Sequence, residues 1–357
     1  MIKHIDIYMS SNEEWKKYEG GGLTGLANCG NTCFLNSTMQ VLSHTYELND
    51  LLNSDKYKQH LNKCPQSILL LEWDKLRQMM WSENCTIAPN GFVQAVQKVA
   101  EHCKRELFTG FAQNDLPEFL IFISESFHRS LYREVNMNIR GTAQNEQDKV
   151  AMKCFEMVKT MYSKEYSELI KLFYGISVSE IQSKTGESYS INPEPFNLLN
   201  LPIPSKRNVT LYDCFDLYTK VETMDGENAW YNEKTKQKEP VNMFIKFWML
   251  PEILVLDLKR FNNMSRKNNQ LVDFPLDDLD LSRYICGYNK ESYVYELYGI
   301  CNHTGGTMGG HYTAHVKTAN GQWFHFNDTH VTPIHEPKKM ISPQAYCFFY
   351  RKKKLIN

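Results

Sequence analysis

The chain has 357 residues, of which 42% are hydrophobic, 13% aromatic and 23% charged, and its formal net charge is −1. This composition excludes a disordered chain, a strongly basic nucleic-acid binder and an acidic solvating tail. No apolar run approaches the roughly 18 residues of a membrane helix, and the opening segment MIKHIDIYMS lacks the apolar core of a signal peptide. The length favours about two domains or one domain with lobes, and we expect a folded protein of the cytoplasm or nucleus.

Ten cysteines are scattered along the chain, and no CxxC pair occurs among them. A disulfide framework is not expected without a secretory signal, and a thiolate zinc site lacks a local half-site to start from. Most of these cysteines are therefore expected to be small buried hydrophobic residues. A cysteine that does chemistry must be identified by its neighbours.

The first half of the chain is predicted to be mainly helical. Residues 1–21 are polar and lead into the glycine run 20–22, which indicates a flexible lead-in. Apolar residues at steps of three to four then predict helices, one of which has Asn114 as its N-cap and Pro117 in its first turn. The predicted helices cover residues 31–45, 66–82, 91–101, the segment after 114, and about 145–171.

The second half is predicted to be rich in β-strands, because β-branched and aromatic residues alternate with turn signals. Residues 252–258 are typical of a strand buried on both faces. A hairpin is predicted around residues 319–321. Helices followed by strands indicate an α+β fold with a helical lobe beside a sheet lobe. The β-rich segments are 173–190, 245–261, 293–300, 311–317 and 322–326.

Cys33 stands where a glycine-bearing loop runs into the first predicted helix. The free N–H groups and the positive dipole end of the helix favour a thiolate there, and cysteine is the side chain most readily used as a nucleophile near neutral pH. Asn28 in the preceding loop is placed to donate an amide N–H to an oxyanion. Taken alone, a buried cysteine in a helix-capping turn explains the same residues.

Four glycines precede His311, and they let the backbone approach a ligand closely. His311 then opens a strand, and its ring is a candidate base for a thiol and a candidate acid for a leaving amine. Two alternatives stay open. The first is a metal site made by His311, His315 and His325, which lacks a carboxylate or cysteine at ligand spacing. The second is a solvated histidine beside a flexible turn.

A cysteine–histidine pair commonly needs a third group that fixes the imidazole tautomer. A two-residue turn at 320–321 places Asp328 diagonal to His311 and on the same face of the hairpin. A three-residue loop with Gly321 in the left-handed conformation places Asn327 there instead. Either side chain lies within reach of the neighbouring strand, and a simple strand-ending turn is the alternative explanation.

These motifs together resemble the ubiquitin-specific protease family of papain-like cysteine peptidases, which are deubiquitinating enzymes. The resemblance covers about residues 22–352. It is carried by the cysteine box GLANCGNTCFLNSTMQVL and by the histidine box GGHYTAHV with WFHFND after it. Shorter family markers lie at residues 113–119, 194–196, 201–202, 250–261 and 345–350.

The resemblance implies a role for each residue of the two boxes. Cys33 is the implied nucleophile, His311 its general base, and Asn28 the side-chain donor to the oxyanion. Asn327 matches the position of the family's orienting residue. Asp328 matches a neighbouring acid that shares the orienting or the oxyanion work. The implied reaction is cleavage of the isopeptide or peptide bond after the last glycine of ubiquitin, through an acyl-enzyme.

The resemblance also implies contacts to the C-terminal tail of ubiquitin. Asp115 and Glu118 match acids that hold the arginine-containing tail, although the start of a surface helix explains them equally well. Gly310 and Tyr312 are expected to contact the tail as well. A slot too narrow for any side chain selects a Gly-Gly terminus by excluding bulkier residues.

The implied α+β shape is a hand. Its helical thumb covers about residues 22–170, its β-ribbon fingers about 172–248 and its β-rich palm about 249–352, with a basic tail at 353–357. Two segments match mobile loops that border the channel for the ubiquitin tail: residues 262–272 and 305–310.

The fingers of this family often carry two CxxC pairs that bind zinc. In this chain the matching positions hold no thiol: Ser183, Gly186, Asn232 and Thr235. We therefore expect no metal and no cofactor. The fingertips are expected to be held by apolar packing of residues such as Trp230 and Tyr231.

Three hypotheses about function stay open. The first is an active deubiquitinase that acts on ubiquitin or ubiquitinated proteins, with or without an activating partner. The second is a protease for another ubiquitin-like modifier. The third is a non-catalytic ubiquitin-binding scaffold, which Cys33, His311 and Asn327 argue against, since binding alone needs none of them. Neither a nucleic acid nor a membrane is expected as a partner.

Overall fold

The structure, a computed structural model, describes residues 15–354 apart from 55, 263, 265, 307 and 308. The α-helices of the described residues are α1 Cys33–Ser43, α2 Tyr46–Asn53, α3 Gln66–Ser82, α4 Asn90–His102, α5 Leu116–Leu131, α6 Glu146–Tyr162, α7 Glu168–Phe173 and α8 Leu211–Tyr218. The strands are β1 Gly25–Leu26, β2 Thr86–Ile87, β3 Gly175–Ser183, β4 Ser188–Phe196, β5 Leu199–Leu201, β6 Val209–Thr210, β7 Glu222–Met224, β8 Trp230–Asn232, β9 Gln237–Glu239, β10 Val241–Met249, β11 Ile253–Leu258, β12 Val272–Asp273, β13 Leu279–Asp280, β14 Val294–Gly306, β15 Gly309–Lys317, β16 Trp323–Asn327, β17 His330–Ile334 and β18 Ala345–Lys352. Within these residues, none of the helices combines the length and the apolar character that crossing a membrane requires.

The helical half is confirmed, with two corrections. The periodic apolar residues of α1, α3, α4 and α5 face a shared core in which Trp73 is fully buried against Phe127. The segment predicted as one helix over 145–171 is two helices, α6 and α7, separated by a bridge between Arg133 and Tyr166. The second correction concerns where α5 begins.

Asn114 is not the N-cap of α5, because the helix begins at Leu116 and Asp115 occupies the capping position. Asp115 makes no side-chain cap either. Its carboxylate instead accepts hydrogen bonds from two tyrosine hydroxyls of neighbouring strands, Tyr312 and Tyr346. A tertiary contact has therefore overridden the local capping preference that the sequence indicated.

An eight-stranded sheet, called here the large sheet, has the order β17-β16-β15-β14-β18-β11-β5, with β13 paired to β14. The prediction of a strand buried on both faces is confirmed, because all of β11 is buried. Ile253 and Val255 join the core shared with α1, whereas Leu254 and Leu256 join a second core on the opposite face. The large sheet is thus a wall between two apolar cores, and α1 packs against its strands β14, β15 and β16.

A four-stranded antiparallel sheet, called here the small sheet, has the order β4-β3-β10-β7. Its own core is slight and packs against α6 through residues such as Cys154 and Trp248. The separate β8–β9 ribbon lies in the same part of the chain. However, β5 pairs with β11 of the large sheet, and α8 packs into the second core. The segment predicted as fingers is therefore not one structural unit.

The described residues nearest to each end of the chain make more contacts than the sequence indicated. Residues 1–14 of the predicted lead-in lie outside the described residues, but Trp15 and Tyr18 are buried against Tyr46. The flexible lead-in is therefore wrong from Trp15 onward, because aromatic side chains bury area that keeps the backbone in place. In the predicted basic tail, the ammonium group of Lys353 forms an ion pair with Asp278, and residues 355–357 lie outside the described part.

Candidate active site

Cys33 is the first residue of α1, as predicted, and its side chain is 3% exposed. Thr32 occupies the N-cap position but makes no side-chain cap, because its hydroxyl accepts from the N–H of Cys29 at 2.9 Å. Burial raises the pKa of the Cys33 thiol, and the backbone N–H groups of Tyr312 and Phe34 oppose only part of the rise. The N–H groups at the helix start therefore act in the predicted direction, but burial of the thiol outweighs them.

His311 lies on β15, and its ring nitrogen Nε2 is 2.7 Å from Oδ1 of Asn327 on β16. Because an amide oxygen accepts, this hydrogen bond fixes the proton on Nε2 and leaves Nδ1 free to act as a base. Of the two hairpin registers predicted, the structure has the one with a three-residue loop, which places Asn327 diagonal to His311. Thr318 N–H donates to the carbonyl of Gln322 at 2.8 Å, and the left-handed Gly321 has φ +82°, so the loop holds three residues, 319–321.

Asp328 occupies the tight turn between β16 and β17, with φ +50°. One carboxylate oxygen accepts from Nδ2 of Asn28 at 3.0 Å, and the other accepts from Nδ2 of Asn36 at 2.8 Å. A Cβ on Gly25 would lie 2.4 Å from the carbonyl oxygen of Thr329, so this turn approaches β1 at a distance that only glycine permits. Asp328 therefore ties the cysteine loop to the hairpin, and its carboxylate holds amides of the cysteine side.

Asn28 is held at both ends of its amide. Its Oδ1 accepts from the N–H groups of Gly30 at 3.2 Å and Thr32 at 3.1 Å, while one N–H of Nδ2 is directed to Asp328. An NH₂ group has two donors, so one N–H stays available. The amide is thus oriented before any substrate arrives, which is the property an oxyanion donor needs.

Asn36 was missed by the sequence reasoning. It lies three residues after Cys33 on the same face of α1, and its Nδ2 also approaches the carbonyls of Leu26 at 3.3 Å and Ala27 at 3.2 Å. The available signal was an amide side chain in this helix, repeated one turn later by Gln40. The partner, 292 positions away, could not be read from the sequence.

Gly310 and Gln113 form a reciprocal pair that joins the α5 side of the site to β15. Gln113 Nε2 donates to the carbonyl of Gly310 at 2.9 Å, and the Gly310 N–H donates to Gln113 Oε1 at 2.8 Å. A Cβ on Gly310 would lie 2.3 Å from Nε2 of His303, so a side chain is excluded at this position. Gln113 stood in the sequence as a family marker only, and its pairing with a backbone 197 residues away is a tertiary feature.

The four residues predicted to contact a substrate tail fall into two places. Asp115 accepts from the hydroxyls of Tyr312 at 3.3 Å and Tyr346 at 2.9 Å, and burial raises its pKa. Asp115 and Tyr312 line a cavity of about 260 Å³ that lies beside Gly310. Glu118 lies on the exposed side of α5 and lines a separate hollow with residues 104–108.

The cavity runs between the start of α5 and the glycine-rich hairpin β14–β15. Tyr312 lines it and also directs its backbone N–H to the Cys33 thiol, so the cavity and the thiol share one residue. The segment 305–310, predicted as a loop, is mostly paired as the end of this hairpin, with Gly305 opposite Gly310, and residues 307 and 308 lie outside the described part. The other lining residues are Gln113, Asn114, Phe261, His303 and Gly306.

Among the described residues, no three His, Cys, Asp or Glu side chains come together as a metal site. The alternative that combined three histidines is not supported, because His311 uses Nε2 for Asn327. His315 and His325 remain as a directly opposed pair. At the positions where zinc ligands were missing, Asn232 donates to both carboxylate oxygens of Glu239, at 3.0 and 3.1 Å.

A cysteine at the head of a helix, packed on a sheet whose hairpin carries a histidine bonded to an asparagine, defines the papain-like class of α+β cysteine hydrolases. The family model described as Ubiquitin carboxyl-terminal hydrolase matches residues 24–350. The chain therefore belongs to the ubiquitin carboxyl-terminal hydrolase family. The resemblance and the α+β fold class predicted from the sequence are confirmed.

Three similar proteins illustrate the family. Ubiquitin carboxyl-terminal hydrolase Usp2 of Drosophila melanogaster is 34% identical over 93% of this chain and 35% of its own length. Ubiquitin carboxyl-terminal hydrolase 2 of Homo sapiens is 35% identical over 92% of this chain and 55% of its own length. The solved SAGA Ubp8/Sgf11/Sus1/Sgf73 DUB module bound to ubiquitin aldehyde has a TM-score of 0.72 at 25% identity, over 95% of this chain and 71% of that one. The chain thus spans about a third to a half of the curated relatives it matches.

Proposed function

We propose that this chain is a thiol-dependent hydrolase that cleaves the isopeptide or peptide bond after the C-terminal glycine of ubiquitin. The observation that carries the proposal is the 2.7 Å hydrogen bond between His311 and Asn327, which leaves Nδ1 of the ring as a base on the strand next to Cys33. Binding alone requires no such arrangement. A solved relative bound to ubiquitin aldehyde, and relatives named ubiquitin carboxyl-terminal hydrolases, support ubiquitin as the substrate.

The first half of the reaction forms an acyl-enzyme. Nδ1 of His311 takes the proton of Cys33, whose thiol pKa is raised by burial. The sulfur attacks the carbonyl carbon of the last glycine, and the oxyanion accepts from Asn28 Nδ2 and the Cys33 N–H. The C–N bond then breaks, and the imidazolium returns its proton to the departing lysine amine. The products are the free amine and a thioester.

The second half releases ubiquitin. Nδ1 of His311 takes a proton from water, the hydroxide attacks the thioester carbonyl, and the C–S bond breaks with the electron pair leaving on sulfur. The imidazolium then protonates the thiolate of Cys33. Asn327 holds the ring in one tautomer throughout, and Asp328 holds Asn28, so both are positioning residues in this scheme.

We propose the cavity beside Tyr312 as the passage for the ubiquitin tail. Gly310 offers backbone groups without a side chain, and Asp115 presents a half-buried carboxylate whose pKa is raised by its removal from water, with no cation among the causes of its shift. A guanidinium of a basic tail would supply that cation. Glu118 interacts electrostatically with Asp115 from outside the cavity, so we assign it a long-range attraction for the same tail.

The labelling experiment uses ubiquitin that carries a C-terminal electrophile. We expect one ubiquitin to become attached covalently to Cys33, located by peptide mass, and no adduct in Cys33→Ala. Cys29→Ala is the matched control, because Cys29 lies in the same loop and is more exposed than Cys33. The same electrophile on other ubiquitin-like modifiers tests the choice of substrate.

The outcomes separate the alternatives. An adduct on Cys29 or Cys301 would show that the nucleophile is misassigned. Preference for a different modifier would replace ubiquitin as the substrate. Tight ubiquitin binding without any adduct or turnover would favour a scaffold over an enzyme.

We also propose that the described domain is one catalytic hand, with thumb about 22–170, fingers about 172–248 and palm about 249–352, in which β5 and α8 of the fingers range pack with the palm. The change from helices to strands near Phe173 supports the first boundary. We infer that the protein works in the cytoplasm or nucleus, because all ten cysteines are free, including the directly opposed Cys301 and Cys347. Cell fractionation that recovers the protein only from a secreted fraction would contradict this.

A further inference from the structure

His315 and His325 form a pair that the proposed reaction does not use. They are directly opposite one another on β15 and β16, and their ring centres are 5.0 Å apart with an angle of 61° between the planes. Since side chains alternate along a strand, both rings lie on the same face of the hairpin as His311 and Asn327. The pair therefore lies two same-face positions along β15 from His311, and His325 lies one such position along β16 from Asn327.

The hydrogen-bonding capacity of this face is unmet within the protein. In the described structure, Nδ1 of His315 and Nδ1 of His325 are buried and have no hydrogen-bond partner. Asn302, on the adjoining strand β14 and diagonal to His315, is 2% exposed, and neither its Oδ1 nor its Nδ2 has a partner. Buried polar atoms are normally satisfied, so three orphaned side chains on one face indicate that a ligand binds there.

The ring separation fits two imidazoles on one ion. A zinc–nitrogen bond of about 2.0–2.1 Å places an imidazole centre roughly 3.2 Å from the metal. Two such rings at a tetrahedral angle have centres about 5 Å apart, which agrees with the 5.0 Å observed. Two adjacent strands hold both rings in place, so little side-chain freedom is lost on binding. Burial also lowers the pKa of both rings, and a neutral imidazole is the form that binds metal.

We propose that His315 and His325 form a two-imidazole site for a borderline divalent transition ion of the zinc type, and that the bound ion inhibits the enzyme. Imidazole ligands suit such ions, and water completes the coordination shell. Hard cations such as Mg²⁺ and Ca²⁺ prefer oxygen ligands and are not expected to bind.

Inhibition follows from the position of the pair. After burial, the second cause that lowers the pKa of His325 is the charge of His311, so the two rings interact electrostatically. A dication on His325 therefore opposes formation of the His311 imidazolium, which both halves of the proposed reaction require. The ion would slow turnover without contacting the thiol.

Binding is measured without reference to activity, in a Cys33→Ser background that removes the thiol as a competing ligand. Calorimetric titration with Zn²⁺ should show one ion per chain, and Co²⁺ should give the visible absorption of a tetrahedral nitrogen-ligated ion. His315→Phe and His325→Phe should each weaken Zn²⁺ binding at least tenfold. His335→Phe is the matched control, since His335 is an exposed histidine just beyond β17.

Thermal melting without metal checks that each variant is folded, and His325→Gln replaces His325→Phe if the larger ring substitute fails to fold. Unchanged Zn²⁺ affinity in folded variants at both positions would overturn the site, as would the lack of saturable binding in the parent protein. Loss of affinity in His335→Phe equal to that in the pair would also overturn it.

The activity measurement rests on the proposed function. In the chain with Cys33 intact, the Zn²⁺ concentration for half inhibition should rise at least tenfold in His315→Phe and stay unchanged in His335→Phe. Equal inhibition of parent and His315→Phe would place the inhibitory ion at the thiol and overturn the inhibitory role. Failure of the proposed hydrolysis itself would show as lack of turnover without metal, while the calorimetric result would still decide the site.

Discussion

Asp257 in the large sheet and Glu239 in the β8–β9 ribbon are both carboxylates, yet their surroundings move their pKa values in opposite directions. Burial raises the pKa of Asp257 to about 7, although Asn200 donates a hydrogen bond to it. Hydrogen bonds, first from Thr235 and then from Asn232, lower the pKa of the half-buried Glu239. The first group is dominated by loss of water and the second by its donors.

The contrast extends to how the two regions are held. The large sheet separates two extensive apolar cores, so its strands are fixed by burial on both faces. The small sheet and the ribbon have little core, and side-chain hydrogen bonds add to their backbone pairing: Ser183 with Thr185, Lys184 with Asn242, and Asn232 with Glu239. The rings of Tyr189 and Trp230 are stacked with their centres 5.6 Å apart, which adds apolar contact. Tyr231 is 47% exposed, so it does not provide the apolar packing that was predicted for it.

The largest effect is expected in the hairpin of the large sheet. Asn327→Ala should lower kcat/KM for ubiquitin amide hydrolysis by roughly 10²–10³-fold, because His311 loses the acceptor that fixes its tautomer. The pH profile should change shape, and Asn327→Asp should restore most of the activity. The melting temperature should change little, since the side chain makes one hydrogen bond.

Asp328→Ala tests the neighbouring role. It should lower kcat by roughly 10²-fold because Asn28 loses its anchor at the oxyanion, without the altered pH profile of Asn327→Ala. It should also lower the melting temperature, since Asn36 and Asn28 both lose a charged acceptor. Full activity in Asn327→Ala with severe loss in Asp328→Ala would reverse the two assignments.

The third effect is on the stability of the large sheet. The folded-state pKa of Asp257 is raised to about 7, so the protonated side chain contributes to the free energy of unfolding. This contribution is fully present below the unfolded pKa and is lost as pH rises through the folded pKa. Asp257→Asn removes the cost of burying an ionised carboxylate at high pH. The melting temperature of the variant minus that of the parent should therefore be roughly 5 °C larger at pH 8 than at pH 4.5. A difference independent of pH would show that the carboxylate is ionised in the fold.

A smaller effect of opposite sign is expected in the ribbon. Because the folded-state pKa of Glu239 is lowered, its contribution is present above the unfolded pKa and is lost as pH falls through the folded pKa. Glu239→Gln should lower the melting temperature by at most roughly 1–2 °C at pH 7 and leave it unchanged near pH 3. A melting temperature lower by several degrees would show that the ribbon contributes as much to the stability of the whole domain as the large sheet does.

The smallest expected effect comes from removing metal. The ribbon positions that lack thiols are occupied by a hydrogen-bonded network, so no stoichiometric zinc is expected after dialysis, and a strong chelator should leave the melting temperature unchanged. A tightly bound zinc whose removal lowers stability would contradict this prediction. The proposed His315–His325 site binds reversibly and is expected to be emptied by the same dialysis.

Local sequence patterns predicted much of the fold. Apolar periodicity identified α1, α3, α4 and α5, because burial of one helical face is a repeated local signal. The transition from a glycine-bearing loop to a helix located Cys33 at the helix start. The alternation of side chains along the hairpin strands left Asn327 and Asp328 as the two candidates for the orienting residue. Alternation could not decide between them, because the answer depends on the loop length. The loop length depends on whether Gly321 takes the left-handed conformation, and the sequence permits this conformation without requiring it.

Sequence by itself therefore determined the α+β class, the family and the two boxes that carry the proposed chemistry, because these are encoded within short stretches of chain. Only the tertiary structure decided what the boxes contact: Asp328 with Asn28, 300 positions away, and Asp115 with Tyr346, 231 positions away. It also decided that burial raises the pKa of the Cys33 thiol, against the local effect of the helix end. Hydrogen bonds and desolvation depend on which distant side chains share a volume, and local sequence carries no record of that.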